Sequence, residues 1–228
     1  MMQIKKIGAI AAAVAAVVAF SAGSAFALNL MDLHNSPLLS LLAIKNAYQK
    51  HDVAAFQQHI DLEKFIGRVY DDGLAAVDES GNSAFVTYSA KTGIYGVIKP
   101  YAVSFAQKKV LEDVRFGRKT GSGTKAPNKS NILLDKGKAM AEKINPANIL
   151  RNTIDLDNCE LKKVATHEKT DTEAIVAATI YDTKLKQDFI LRLKLAPLPG
   201  GKGWKVLEPM NFKEYALEID RAKKTKSR

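Results

Sequence analysis

The sequence predicts an α+β fold: N-terminal helices packed on a four-stranded antiparallel sheet, with a helical and loop insertion between the two. Three observations carry this expectation. Apolar residues recur at helical spacing from Leu38 to Tyr70. The pattern changes to period two in the last third, most clearly at Phe189, Leu191, Leu193 and Leu195. The connections between the candidate strands are too short for the crossover that a parallel pair needs, so the strands form an antiparallel meander.

Taken in order, the chain of 228 residues opens with a segment that belongs to no core. Lys5 and Lys6 precede a run from Ile7 to Phe20 that is wholly apolar or small, and Ala25 and Ala27 stand in the small-x-small arrangement read by signal peptidase. Residues 1–27 are therefore expected to be a signal peptide, cut after Ala27, which directs the protein out of the cytoplasm to the periplasm, cell envelope or extracellular space. The rival is an uncleaved anchor over Ile7 to Leu30, but Ala and Gly dominate that stretch and it ends in a cleavage site. No cysteine follows the apolar run, so a lipid-anchored lipoprotein is excluded; Cys159, the single cysteine, is expected to be a small buried hydrophobe at the start of a strand.

Residues 28–220 are expected to form one domain, in keeping with the roughly 100–200 residues of a typical one. Its helical layer covers residues 36–143. Ser36-Pro37 supplies an N-cap and a first-position proline. Asp52 caps a second short helix carrying Val53, Phe56 and Ile60, and Asp61 a third carrying Leu62, Phe65, Ile66, Val69 and Tyr70. Gly81-Asn82 breaks the pattern. A further helix is expected from about Pro100 to Arg115 with Tyr101, Phe105, Val110, Leu111 and Val114 buried. A loop follows over 117–130, then a weaker helix over 131–144.

The meander occupies residues 153–209. Its first strand spans 159–168, with Lys162-Lys163 breaking the alternation as a bulge or a fully edge-exposed stretch would. The second runs from Ala174 to Tyr181 and suits cover on both faces; the third is Phe189 to Leu195, and Pro199 to Gly203 turns the chain into the fourth, Trp204 to Leu207. Asn211 and Glu214 form a capping pair for a helix over 211–220, and residues 221–228 read as a basic, disordered tail.

The segment from Ser36 through Ala43-Ile44-Lys45-Asn46-Ala47 to Asp52, followed by Phe56 and His59-Ile60-Asp61-Leu62, resembles the opening of an uncharacterised family of exported bacterial proteins, a domain of unknown function. The later Phe189-x-Leu-x-Leu and Gly203-Trp204-Lys205-Val206 are similar to that family and to cystatin-like rolls of the nuclear-transport-factor type. The resemblance implies a helix pair wrapped against a curved antiparallel sheet. It implies no activity and no site residues, and leaves residues 80–150 without a counterpart.

Candidate chemistry is sparse. His34, His51, His59 and His167 include no pair spaced i,i+4 on one helix, and His51-Asp52 reads as a turn residue followed by a cap. Asp71-Asp72 and Asp155/Asp157 lack the further ligands and the turn glycine of a calcium loop, so they read as solvated termini and turns. Gly121-Ser122-Gly123-Thr124-Lys125 lacks the Gly-Lys-Ser/Thr ending of a phosphate loop. No cofactor, metal or catalytic residue is assigned.

The functional signal is distributed charge. Formal net charge is +10, and removing Lys5 and Lys6 with the leader leaves about +8. Lys108, Lys109, Arg115, Arg118, Lys119, Lys125, Lys129, Lys136 and Lys138 are the candidate contacts for an anionic surface; a solvated lysine-rich face is the competing reading. Export makes anionic envelope polymers or phospholipid head groups the expected partners and nucleic acid not, with membrane contact peripheral once the leader is cut. The leading expectation is an exported, non-enzymatic binding protein. An enzymatic or small-molecule-binding roll is the alternative; it requires a pocket with converging titratable groups, and fails if Phe189, Leu191, Leu193 and Trp204 fill that space. Self-association through the outer face of the sheet is the third reading.

Overall fold

The computed structural model describes residues 36–79, 94–117 and 159–226. They form five α-helices, α1 (Pro37–Gln49), α2 (Val53–His59), α3 (Leu62–Glu79), α4 (Ile94–Phe116) and α5 (Phe212–Lys226), and four strands, β1 (Cys159–Lys169), β2 (Ala174–Asp182), β3 (Gln187–Pro197) and β4 (Trp204–Pro209). The fold is α+β, as the periodicities predict.

The N-terminal helices begin where their caps lie. Ser36 Oγ accepts from Leu38 N, Asp52 Oδ1 from Ala55 N, and Asp61 Oδ1 from Lys64 N. Each bond satisfies one of the amides that a helix start leaves without a partner.

The sheet has the order β1-β2-β3-β4, every neighbouring pair antiparallel. Its register places Leu161, Ile180 and Phe189 in one cross-strand row and Val164, Ala178 and Leu191 in the next. The expected bulge lies between Leu161 and Lys163, and it lets two successive lysines face outward before Val164 turns back to the core. On β2, residues from Ala174 to Asp182 alternate between buried and half-buried, so one face is covered fully and the other only in part, rather than both. Gly200 and Gly201, at φ +79° and +67°, supply the left-handed backbone of the β3–β4 turn, which Leu198 N closes by donating to the Gly203 carbonyl.

One core joins sheet and helices. Leu41, Ile44, Phe56, Phe65, Ile66 and Val69 meet Val176, Phe189, Leu191, Leu193, Leu195 and Trp204. The helices also close one edge of the sheet. Asp61 N donates to the Val206 carbonyl, Trp204 N to Ser40 Oγ, and His59 Nδ1 to the Trp204 carbonyl. Because a carbonyl can only accept, the His59 proton sits on Nδ1. Helix α4 packs against α1, α2 and α3, and α5 against α3 and β3.

Four expectations are corrected. Helix α4 starts at Ile94, ahead of Pro100, which it accommodates at the expense of the hydrogen bond to the Gly96 carbonyl. Helix α5 continues through Lys226, so residues 221–226 are helix, not tail; Lys224 pairs with Asp220 at 2.7 Å, Thr225 Oγ1 bonds the Arg221 carbonyl, and the Lys226 ammonium reaches the Lys184 carbonyl. Cations in that last turn also complement the negative end of the helix. Cys159 begins β1 as expected but is half-buried. Asn211 does not cap α5 with its side chain: Oδ1 accepts from Arg192 N and Nδ2 donates to the Ile190 carbonyl, continuing the ladder of β3 beyond the end of β4. The expectations for the signal segment, Gly81-Asn82, residues 118–130, the helix over 131–144 and Asp155/Asp157 lie outside the described residues.

Candidate functional site

Helix α4 is positioned by a narrow stripe of modest side chains. Val103, Ala106, Val110 and Val114 are all buried, spaced three and four apart, so one side of the helix faces the body of the protein. Near its start Lys99 Nζ lies 2.7 Å from Asp71 Oδ2 on α3. At its end His51 Nδ1 donates to the Val114 carbonyl at 2.8 Å, satisfying an acceptor that the last turn leaves open. His51 is thus more than a turn residue: it sits at φ +58° between α1 and α2 and closes a helix 63 positions away.

Tyr101 and Phe105, expected in the core, lie on the opposite side, 74% and 36% exposed, and Phe116 is 64% exposed. The reason is geometric. The Val103–Ala106–Val110–Val114 stripe lets α4 approach its neighbours closely, and a helix that buries this side must turn Tyr101 and Phe105 away. Leu111 is half-buried, flanking the stripe.

Of the nine candidate cations, three are described. Lys108 and Arg115 are exposed with no acidic partner among the described residues, and the Arg115 guanidinium lies 6.0 Å from the centroid of the Phe116 ring. Lys109 is neutralised by Glu112 at 2.6 Å. Arg118, Lys119, Lys125, Lys129, Lys136 and Lys138 lie outside the described residues. The outer side of α4 therefore interleaves aromatic rings and cations: Tyr101, Phe105, Lys108, Arg115 and Phe116.

The remaining polar groups are structural. Ser40 and His59 approach one another around Gly203, but each is committed to the Trp204 backbone. Asp71 and Asp72, expected at solvated termini or turns, lie within α3, and Asp72 is buried. Asp72 pairs with Arg68 at 3.1 Å and accepts from the Lys213 amide at the start of α5. Desolvation holds its carboxyl above the ordinary range, against the opposing pull of Arg68. Burial, with the Asp71 charge, pushes the Tyr70 hydroxyl up to about 12. Asp182 is buried yet satisfied, its Oδ1 accepting from Lys184 N and Leu185 N at 2.8 Å each. Among the described residues no three His, Cys, Asp or Glu side chains converge on a metal position, and no helix is long and apolar enough to cross a membrane. The space between helices and sheet is occupied by Phe189, Leu191, Leu193 and Trp204, each 3% exposed or less.

No family model, curated protein or solved structure matches the chain.

Large rings at helical spacing ordinarily mark core positions, and that pattern conceals the aromatic members of this face in the sequence. A signal was nonetheless present. Tyr101, Phe105 and Lys108 share one side at i, i+4 and i+7, whereas Val103, Ala106, Val110 and Val114 form a stripe free of charge.

Proposed function

We propose that this is an exported, non-enzymatic binding protein, of the uncharacterised envelope type that its opening segment resembles, and that its partners are anionic components of the cell envelope. The observation that supports this reading is that Lys108 and Arg115, exposed on the outer side of α4, form no ion pair among the described residues, on a helix otherwise tied down by its buried stripe and by Lys99–Asp71. Glu112, on the same side, is held by Lys109, and cations that form no ion pair attract anions over about 8–10 Å at ordinary ionic strength. The leader expected over residues 1–27 is the reason for proposing that this attraction acts outside the cytoplasm. Among the described residues, Phe189, Leu191, Leu193 and Trp204 fill the space between the helices and the covered face of the sheet, which favours a surface over an internal pocket as the place of binding.

The test is binding of the chain from Leu28 to anionic phospholipid vesicles and to a soluble anionic wall polymer, at low and high salt. Binding to at least one is expected, falling steeply as ionic strength rises. No binding to either at low ionic strength sinks the proposal. Secretion is tested separately, by the N-terminal sequence of protein recovered outside the cytoplasm; a start at Leu28 is expected, and an intact Met1 contradicts it.

A further inference from the structure

We infer that the outer face of α4 is a docking surface for an anionic phospholipid bilayer, with Tyr101, Phe105 and Phe116 entering the interface while Lys108 and Arg115 meet lipid phosphates. This rests on the proposed binding of anionic envelope components and narrows it to one partner.

The geometry supports a bilayer in three ways. At about 100° per residue, the five side chains fall within roughly a 100° arc. That arc lies opposite the buried stripe of Val103, Ala106, Val110 and Val114. Within it the cations lie toward one margin and the rings toward the other. Glu112 shares the arc but is held by Lys109. From Tyr101 to Phe116 the face is about 22 Å long at 1.5 Å rise per residue, enough to lie along a membrane surface.

The rings are concentrated here. Of the six large hydrophobic residues exposed among those described, Tyr101, Phe105 and Phe116 are on α4, and Tyr101 and Phe116 are the two most exposed. Aromatic rings prefer the depth of lipid head groups, and long cationic side chains reach from there to phosphate. A soluble anionic polymer would satisfy Lys108 and Arg115 and give the rings no hydrocarbon to enter. A second copy docked face to face with its helix antiparallel would bury the rings but set like cations against each other across the two-fold axis. The bilayer satisfies both groups of side chains.

The test uses the chain from Leu28, which retains every described element, with vesicles of phosphatidylcholine alone or mixed with phosphatidylglycerol. Trp204 is the only tryptophan and is buried, so Phe116→Trp adds a reporter against a constant background. The inference expects a blue shift of the added tryptophan on phosphatidylglycerol vesicles and quenching by brominated acyl chains. It also expects Tyr101→Ser/Phe105→Ser/Phe116→Ser to weaken vesicle binding at least about tenfold with the melting curve unchanged, because the rings supply the apolar part of interfacial binding. A protein that binds these vesicles while the added tryptophan stays unquenched overturns the inference. So does binding to a soluble anionic polymer without binding to vesicles, which leaves the broader proposal standing. A dimer in solution that the triple variant dissociates, without vesicle binding, assigns the face to self-contact and overturns it too. Failure to bind either vesicles or polymer defeats the proposed function itself. Should the triple variant fail to fold, the quenching result alone decides.

Discussion

At Gly117 the backbone takes φ +69°, and a Cβ added there would lie 3.1 Å from the His51 imidazole that closes α4. Alanine at this position meets two penalties at once, a left-handed backbone and a collision with a ring held by its own hydrogen bond. Gly117→Ala should lower unfolding stability by about 1–2 kcal/mol in urea titrations. Gly96→Ala, in the same helix with nothing within 4 Å of its added Cβ, should raise it by up to about 1 kcal/mol. Equal responses of the two would contradict this account. Tyr215 is the opposite case, a ring well placed and a hydroxyl badly placed. It packs edge-on against Phe189 at 6.0 Å and stacks with Phe212, while its hydroxyl is buried with no hydrogen-bond partner among the described residues. Burial raises its pKa, so it stays protonated as an unmet donor. Tyr215→Phe keeps the ring contacts and removes that donor, and should stabilise the fold by about 1 kcal/mol; a lower melting temperature would show that the hydroxyl is satisfied.

Elements are joined by polar groups that come from other elements. The start of α5 receives a carboxylate from α3, because Asn211 is already spent on continuing the β3 ladder and Asp72 takes the Lys213 amide instead. Lys213 in turn pairs with Glu79 at 2.7 Å, binding the end of α3 to the same helix start. Asp72 carries a pH signature. Its folded-state pKa is raised above the ordinary 3.8, so the folded protein holds the proton more tightly than the unfolded chain. Its contribution to stability is therefore greatest below the unfolded value and declines as pH rises from there through the raised one. Asp72→Asn keeps an oxygen for the Lys213 amide and removes the charge. It should flatten that part of the pH–stability curve, and at neutral pH the relief of the desolvated charge should outweigh the lost helical pair with Arg68. An unchanged slope between wild type and variant, measured by denaturation across pH 4–7, would place the pH dependence elsewhere. The β1 margin, which pairs with no further strand among the described residues, is managed similarly at the level of the element. Strand β1 has two register shifts, and Lys162 and Lys163 are both exposed, devices that discourage another strand from pairing there.

For the molecule as a whole, helices and sheet share one core, and α4 adds a further helix to the helical layer without needing the sheet. Among the described residues, that arrangement leaves two faces without a further element packed on them. The outer face of the sheet is laced by charge: Lys162 pairs with Asp188 at 2.9 Å and covers the Tyr181 ring at 3.9 Å, and Lys194 pairs with Glu173 at 2.7 Å. On the outer face of α4, Lys108 and Arg115 form no ion pair among the described residues and lie beside exposed rings. Binding that depends on such cations is a long-range effect of the molecule, so its strength should follow ionic strength, whereas the ring contribution should not. The two components can thus be separated on one protein by comparing salt titrations of wild type with those of the aromatic variant.

Local chemistry made much of this legible in the chain. Ser36, Asp52 and Asp61 cap helices because a short side-chain oxygen satisfies the nearest amides whatever surrounds them. The period-two run from Phe189 to Leu195 specifies a half-buried strand, and the Lys162-Lys163 doublet marks the irregularity in β1, through the alternation of side chains alone. What the sequence could not determine was which side of α4 meets the body of the protein, that Asp72 rather than Asn211 serves the start of α5, or that His51 closes a helix 63 residues away. Tertiary structure decided these because each depends on a partner distant in the chain. On α4 both sides offered apolar residues, and the close approach permitted by Val103, Ala106, Val110 and Val114 turned the larger rings, with Lys108 and Arg115, out to solvent.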